Sequence, residues 1–338
     1  MGKKMLAVIK EKKEPGVVIK TIPIPIPKKD EVLVKVLYSS ICGTDIGIYD
    51  WIPWAQAHIK PPRIIGHEIV AKVIEVNSSE ETKIKKGDLV SSETHIFCLN
   101  CFQCEIKNYH ICENMELFGI GRDGGFAEYA TIPLRTTWKN DTSVSVETMS
   151  AQEPLGNAVN VVTRARVKGK RVLVMGLGPV GLCAGMVAKV YGAKEVVGIN
   201  RKEYRRKLAM QVGFDKVLEK LDEKEYGTFE VVLEMSGNRM GIQIALDAAR
   251  IGGKIIAFGI PKENITIDWG KYLINKELSI DSVFGRRIWD TWKETTRLLV
   301  SKQIDLAKII THKFPLSEFE KAMEVMKSGE CGKVILQP

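Results

Sequence analysis

Apolar and polar positions alternate along the first part of the chain. Met5–Ile9, Val17–Ile19 and Val32–Val36 read as short strands at period two, and Pro23, Pro25 and Pro27 interrupt the run between them. Residues 64–77 read as a turn feeding another strand, and Lys86-Gly87-Asp88 as a turn before the strand Leu89-Val90-Ser91. Up to about residue 135 the chain is therefore mostly β. Near residue 150 the pattern changes. An apolar strand, Arg171–Met175, leads into a glycine turn at Gly176–Gly181 and a helix to about Tyr191, followed by a strand at Glu195–Ile199. A helix over Tyr204–Val212 and buried strands at Val231–Met235 and Lys254–Phe258 continue the series. Strands alternating with helices predict a parallel, doubly wound sheet. Two amphipathic helices over about 290–325 and a strand at Lys333–Leu336 complete the pattern.

A length of 338 residues suits about two domains. No run of 18 apolar residues is present, which argues against a membrane span. Met1-Gly2-Lys3-Lys4 opens no apolar signal core, so the expected home is the cytoplasm. The net charge of +9 raises nucleic acid as a partner. Its lysines are interleaved with acids, as in Lys10–Glu14 and Glu219–Glu225, and that pattern favours a solvated surface instead.

Cys98, Cys101, Cys104 and Cys112 form C-x2-C-x2-C-x7-C. Four thiolates at this spacing can close a tetrahedral zinc site with no open position, which makes the site structural. A disulfide framework fits less well, because Cys42, Cys183 and Cys331 are scattered and no secretory signal precedes the first strand. A nucleic-acid knuckle would want basic and aromatic neighbours, and Phe102, Lys107, Tyr109 and His110 are few.

Gly176-Leu177-Gly178-Pro179-Val180-Gly181 is a G-x-G-x-x-G between an apolar strand and an apolar helix, the context that gives the motif meaning. The first glycine allows the turn, the second lets backbone approach a pyrophosphate, and the third lets helix and sheet pack. The next strand ends at Asn200-Arg201, where an acid is expected if NAD is to be bound through its ribose hydroxyls. Asn200 tolerates a 2′-phosphate, and Arg201 and Arg205 attract one, so NADP(H) is predicted over NAD(H). The competing reading makes both arginines solvated charges at a helix start.

Three further segments offer ligands for a second metal: Ile41-Cys42-Gly43-Thr44-Asp45, Gly66-His67-Glu68 and Glu153-Pro154-Leu155-Gly156-Asn157. A catalytic zinc needs three protein ligands and an open position. Singly, a buried cysteine is more often a small hydrophobe and a histidine a hydrogen-bonded core residue. Together, and in order with the four-cysteine loop, Gly124–Tyr129 and the glycine turn, the segments resemble the medium-chain, zinc-dependent alcohol dehydrogenase superfamily over essentially the whole chain. Within it the L-threonine 3-dehydrogenase branch is most similar, through Ile48–Gln56, Glu234–Gly237, Ile267–Trp269, Phe284–Arg286 with Trp289 and Trp292, and Ile310–Phe314.

The resemblance implies an α/β two-domain fold: a GroES-like β catalytic domain over 1–157, a Rossmann dinucleotide-binding domain over 158–290, and a C-terminal return to the first domain over 291–338. It implies that Cys42, His67 and one of Glu68 or Glu153 bind a catalytic zinc, and that the chain carries two zinc ions. Thr44 would begin a proton path; as a bland alternative it caps a helix. A homo-oligomer, tetramer or dimer, is also implied. Two departures stand out. Gly47 occupies the position of the branch's histidine, and Asn200-Arg201 replaces its acid. His95, two residues after Glu93, either supplies the lost relay or packs in the core. The expected substrate is a small polar secondary alcohol, L-threonine first, with a polyol, sugar or sugar acid as the alternative. A non-catalytic NADP(H)-binding protein is the rival class, and it should lack the zinc ligands that Cys42, His67, Glu68 and Glu153 offer.

Overall fold

The structure, a computed structural model, describes residues 2–338. Strands β1 (Lys4–Lys10), β2 (Val18–Pro23), β3 (Glu31–Ser40), β4 (Arg63–Ile64) and β5 (Glu68–Asn77) come first, with the short helices α1 (Gly43–Tyr49) and α2 (Pro53–His58) between β3 and β4. Then come β6 (Leu89–Ser92), β7 (His95–Ile96), α3 (Phe102–Glu105), β8 (Glu116–Leu117), β9 (Tyr129–Pro133), β10 (Thr137–Lys139) and α4 (Val146–Met149). Helix α5 (Gln152–Ala165) opens an alternating series: β11 (Arg171–Met175), α6 (Pro179–Val190), β12 (Glu195–Ile199), α7 (Glu203–Gln211), β13 (Lys216–Leu218) and β14 (Phe229–Glu234). It continues with α8 (Arg239–Ala248), β15 (Ala249–Ala257), β16 (Ser279–Ser282) and α9 (Asp290–Val300). Last are β17 (Ile310–Pro315), α10 (Phe319–Ser328) and β18 (Lys333–Gln337).

Two compact units result, 1–153 with 310–338, and 154–309. These seams differ from the expected ones after 157 and 290. The chain rejoins the first unit only at β17, because α9 packs in the second unit, where Trp292 stacks beneath the buried Arg286 guanidinium.

In the first unit the main sheet runs β10-β6-β5-β3-β18-β17, with β9 also on β3, and a smaller sheet runs β2-β1-β4. Inward positions of β3 and β5, Val32, Val34, Val36, Ile69, Ala71 and Val73, share one core with Phe118 and Ile132. They are the period-two positions that the alternation marks. A second core joins Ile41 and Ile48 to Phe126, Phe319 and Met323, so the C-terminal α10 and β18 complete a layer begun near the N-terminus.

In the second unit all six strands are parallel, in the order β13-β12-β11-β14-β15-β16. Counted from β11, this is the doubly wound order 3-2-1-4-5-6, whose strand-end crevice binds dinucleotides. Helices α5 and α8 had no counterpart in the sequence reading. Helix α5 does carry a polar stripe at period 3.6, through Gln152, Glu153, Asn157, Asn160 and Arg164, but all of these except Arg164 are buried, so the stripe does not mark a solvent face. Among the described residues no helix is long and apolar enough to cross a membrane.

Candidate functional site

Three adjacent strand ends assemble the Cys42 cluster in the first unit. Strand β3 ends at Ser40 and passes through Ile41 to Cys42, the N-cap of α1; Glu68 opens β5 opposite Ser40, and Lys333 opens β18 on the other flank of β3. Gly66, at φ +93°, turns the chain into His67, and a Cβ there would lie 2.3 Å from the Phe126 ring. Only glycine fits that approach.

The ligand atoms of Cys42, His67 and Glu68 lie within 4.8 Å of one another. Asp45 backs them: Oδ2 accepts the Cys42 N–H at 2.8 Å, and Oδ1 stands 3.7 Å from His67 Nδ1. One Glu68 oxygen, Oε2, is engaged by the Ser40 hydroxyl and the Lys333 ammonium. Among the described residues the other, Oε1, is buried without a hydrogen-bond partner, as are Asp45 Oδ1 and His67 Nδ1. Such orphans cost about 1–3 kcal/mol each unless something satisfies them. A thiol, an imidazole and a carboxylate oxygen converging in this way are the donor set that a divalent zinc accepts. Burial pushes the Asp45 carboxyl up to about 6. Burial alone would lower His67, but the negative charges of Asp45, Cys42 and Glu68 outweigh it and raise the imidazole to about 10. The cluster is an anionic basin that favours a cation.

Glu153, in the first turn of α5, is buried, and its charge acts on Lys333. Its carboxylate is not within the 4.8 Å group. Thr44 lies inside α1 and does not cap it, since Cys42 holds the cap; its hydroxyl stands 3.8 Å from Cys42 Sγ. Gly47 is on the same helix, where a Cβ would meet Ile52 Cδ1 at 2.9 Å. His95 is buried with Nδ1 2.6 Å from Glu93 Oε1.

The second cluster is local. All four sulfurs of Cys98, Cys101, Cys104 and Cys112 lie within 4.8 Å of one another, and all seven cysteines of the chain are free thiols. Cys101 is the N-cap of α3, which swings Cys104 inward. Backbone N–H groups point at the sulfurs, Cys98 N to Cys112 Sγ at 3.2 Å and Asn100 N to Cys98 Sγ at 3.5 Å. The Asn100 N–H is the main cause pulling the Cys98 thiol down to about 6, whereas burial pushes Cys112 up to about 12. Hydrogen bonds that favour sulfur anions, in a closed four-sulfur cage, suit a structural zinc.

In the second unit the glycines of the turn after β11 divide their work as the motif requires. Gly176 has φ +94°, and a Cβ there would press on Ser236. Gly178 is the N-cap of α6, with Pro179 and Val180 in its first turn. A Cβ on Gly181 would lie 2.0 Å from Gly176 O, so any side chain would force the turn off the helix. The first-turn N–H groups of α6 are available to an anion. At the end of β12, Asn200 Oδ1 accepts the Lys202 N–H at 2.9 Å. Arg206 Nη1 donates to Asn200 O and Arg201 O at 2.9 and 2.7 Å, which braces the turn. Arg201 is exposed, and an Arg205 nitrogen lies 3.9 Å from the Cβ position of Gly178.

Sequence reasoning missed Ser40, Asp45 and Lys333 as members of the metal cluster, and Ser236 as the neighbour of the glycine turn. For Lys333 one signal existed: a lone cation opening an otherwise apolar strand, Lys333-Val334-Ile335-Leu336.

Comparison with known proteins places this geometry among relatives. Residues 28–142 match the alcohol dehydrogenase GroES-like domain, and residues 179–301 match the zinc-binding dehydrogenase family. The chain is 41% identical to the L-threonine 3-dehydrogenase of Pyrococcus horikoshii, over 99% of each chain. It is 40% identical to that of Bacillus subtilis, again over 99% of each. Among solved structures, the alcohol dehydrogenase of Thermotoga maritima superimposes with a TM-score of 0.89 at 25% identity, covering 100% of both chains. A zinc-binding dehydrogenase-type protein of Sinorhizobium meliloti, solved with NADP bound, gives 0.91 at 25% identity over 99% of this chain and 100% of that one.

Proposed function

This chain belongs to the medium-chain, zinc-dependent alcohol dehydrogenase superfamily, and we propose that it oxidises a small polar secondary alcohol, L-threonine first among candidates, with NADP⁺ as preferred acceptor. The observation that carries the reading is the Cys42–His67–Glu68 convergence with a buried, unpartnered Glu68 oxygen facing no protein donor. When bound, zinc supplies Lewis acidity at the substrate oxygen and NADP⁺ supplies the hydride acceptor. Cys42, His67 and Glu68 would hold the ion, three protein donors of the kind a catalytic zinc takes. Glu153 stands by as an alternative carboxylate. The Thr44 hydroxyl, beside Cys42 Sγ, would relay the proton of the substrate hydroxyl, accepting it as its own proton passes to solvent water. Cys98, Cys101, Cys104 and Cys112 hold a second, structural zinc.

The cofactor preference is supported by Asn200, which brings no negative charge to the ribose, and by Arg201 and Arg205 beside it. The Gly178–Val180 turn receives the pyrophosphate. L-Threonine is favoured by the full-length similarity to L-threonine 3-dehydrogenases. A polyol or sugar acid is the second reading, favoured by Gly47, whose flank is occupied by the apolar Ile52 where the threonine branch has a histidine. We further expect a homo-oligomer, tetramer or dimer, in a reducing cytoplasm that suits seven free thiols.

Steady-state reduction of NADP⁺ and NAD⁺, with zinc supplied, against L-threonine, L-serine, polyols, aldoses and sugar acids tests this reading. Threonine oxidation that is faster with NADP⁺ supports both assignments. Activity confined to a polyol or sugar acid moves the substrate to the second reading, and equal use of both cofactors removes the role of Arg201.

A further inference from the structure

We propose that Lys333 is a positioning residue that competes with the metal for Glu68, restricting that carboxylate to one-oxygen donation; this rests on the assignment of Cys42, His67 and Glu68 as metal ligands. The ammonium is 1% exposed. It forms an ion pair with Glu68 Oε2 and donates to Ile41 O at 3.0 Å. Ser40 Oγ contacts the same Glu68 oxygen and also Ser150 O at 2.9 Å, so its single proton serves one of them at a time. Lys333 is thus the constant partner of Oε2, and Oε1 is left to the metal.

The register makes this arrangement obligatory. Ser40 pairs with Glu68 across β3 and β5 and with Ile335 across β3 and β18. Lys333, two residues before Ile335, therefore reaches the start of β5 from the opposite flank. As a fold element it is a poor choice. A buried ion pair is often replaced by apolar residues at no loss of stability, because two charges must be desolvated. The charge has a clearer use beside the metal. Cys42, Glu68 and Asp45, with the buried Glu153 close enough to act on Lys333, surround a dication with anionic groups, and Lys333 offsets part of that charge. Without it, both Glu68 oxygens turn to the ion. The ion is then held more tightly and its pull on a substrate oxygen weakens, since each added anionic donor lowers Lewis acidity.

The test is the release of zinc from the holoenzyme to a chelator such as dipicolinate, followed as moles of zinc lost over time, alongside kcat. Lys333→Met is expected to release the more labile zinc about tenfold or more slowly than the parent, as removal of one unit charge near a dication predicts, while kcat falls. Lys333→Arg, which keeps the charge, is expected to release zinc as the parent does. Lys333→Gln retains a donor for Ile41 O and replaces the Met variant if that one does not fold. Faster or unchanged release from the neutral variants overturns the proposal, as does an Arg variant that behaves like the neutral ones. Cys42→Ser separates the two assignments: if it keeps the same labile zinc, the ligand assignment itself fails, whatever Lys333 does.

Discussion

The Cys98–Cys112 lobe draws its four sulfurs from one short loop, whereas the Cys42 cluster draws thiol, imidazole, carboxylate and ammonium from strand ends far apart in the chain. In the lobe, every ligand comes from the same local turn, and hydrogen bonds from the loop backbone complete the cage. Four sulfurs closed on one another in this way leave no position for a substrate. In the Cys42 cluster the donors number three, and one carboxylate oxygen is engaged instead by Ser40 from β3 and Lys333 from β18. A site assembled from several elements can leave a position open and tune each donor separately, which a closed loop cannot. Locality thus goes with scaffolding and long-range assembly with chemistry.

Substitution at each cluster puts the contrast at risk, and the largest effect belongs to the assembled site. Cys42→Ser should lower kcat by roughly a thousandfold or more, since the Lewis acid is worth several kcal/mol, and should reduce bound zinc by one equivalent without loss of fold. Retained turnover would show that the chemistry lies elsewhere. Cys101→Ser should reverse the balance. Its melting temperature should fall by roughly 5 °C or more while kcat of the folded fraction changes far less; an unchanged melting curve would count against the lobe as a staple.

The nucleotide turn lies between these extremes, a contiguous motif completed by one distant loop. Arg201→Ala should weaken NADPH about 10–100-fold, the value of a charge-assisted hydrogen bond, and leave NADH nearly unchanged in equilibrium binding. Equal losses for both cofactors would refute the 2′-phosphate assignment.

The smallest effect is expected at an assembled cluster without a metal. Glu225 accepts hydrogen bonds from Lys216 Nζ and Arg171 Nη2, both at 2.7 Å. The Lys216 and Arg171 hydrogen bonds, in that order, hold its carboxyl below the ordinary 4.5. A depressed folded-state value means the stabilisation is complete above about pH 4.5 and is lost as the pH falls through the lower folded-state value. Glu225→Gln should therefore cost at most about 1 kcal/mol at neutral pH, because Lys216 is half-exposed, and its denaturation midpoint should converge with the parent's in acid. A gap that persists in acid would mean that the site matters through packing.

Much of the fold is legible in the amino-acid sequence, and the boundary is physical. Strands β1, β3, β11 and β12 were visible because period-two alternation or an apolar run marks them. Helix α5 was not, although its polar residues recur at helical spacing, because Pro154 and Gly156 interrupt the run and most of those polar residues are buried rather than solvated. Short motifs marked Cys42, His67, Glu68 and Glu153 as candidate ligands, of which the structure brings the first three together, but their neighbours carried no such mark, because nothing near Ser40 or Lys333 in sequence points to Glu68.

The sequence by itself determined the four-cysteine cage, the glycine turn with its neutral Asn200, and the alternation of strand and helix that fixes a doubly wound sheet. Each is a local pattern whose chemistry depends on spacing of a few residues. Only the tertiary structure decided that Glu68 gives one oxygen to Lys333, that Thr44 sits inside a helix Cys42 caps, and that Ile52 flanks Gly47. Lys333 meets Ile41 O across 292 residues of chain. Contacts of that kind are set by strand register and by the order of β5, β3 and β18 in the sheet, and spacing along the chain carries no record of either.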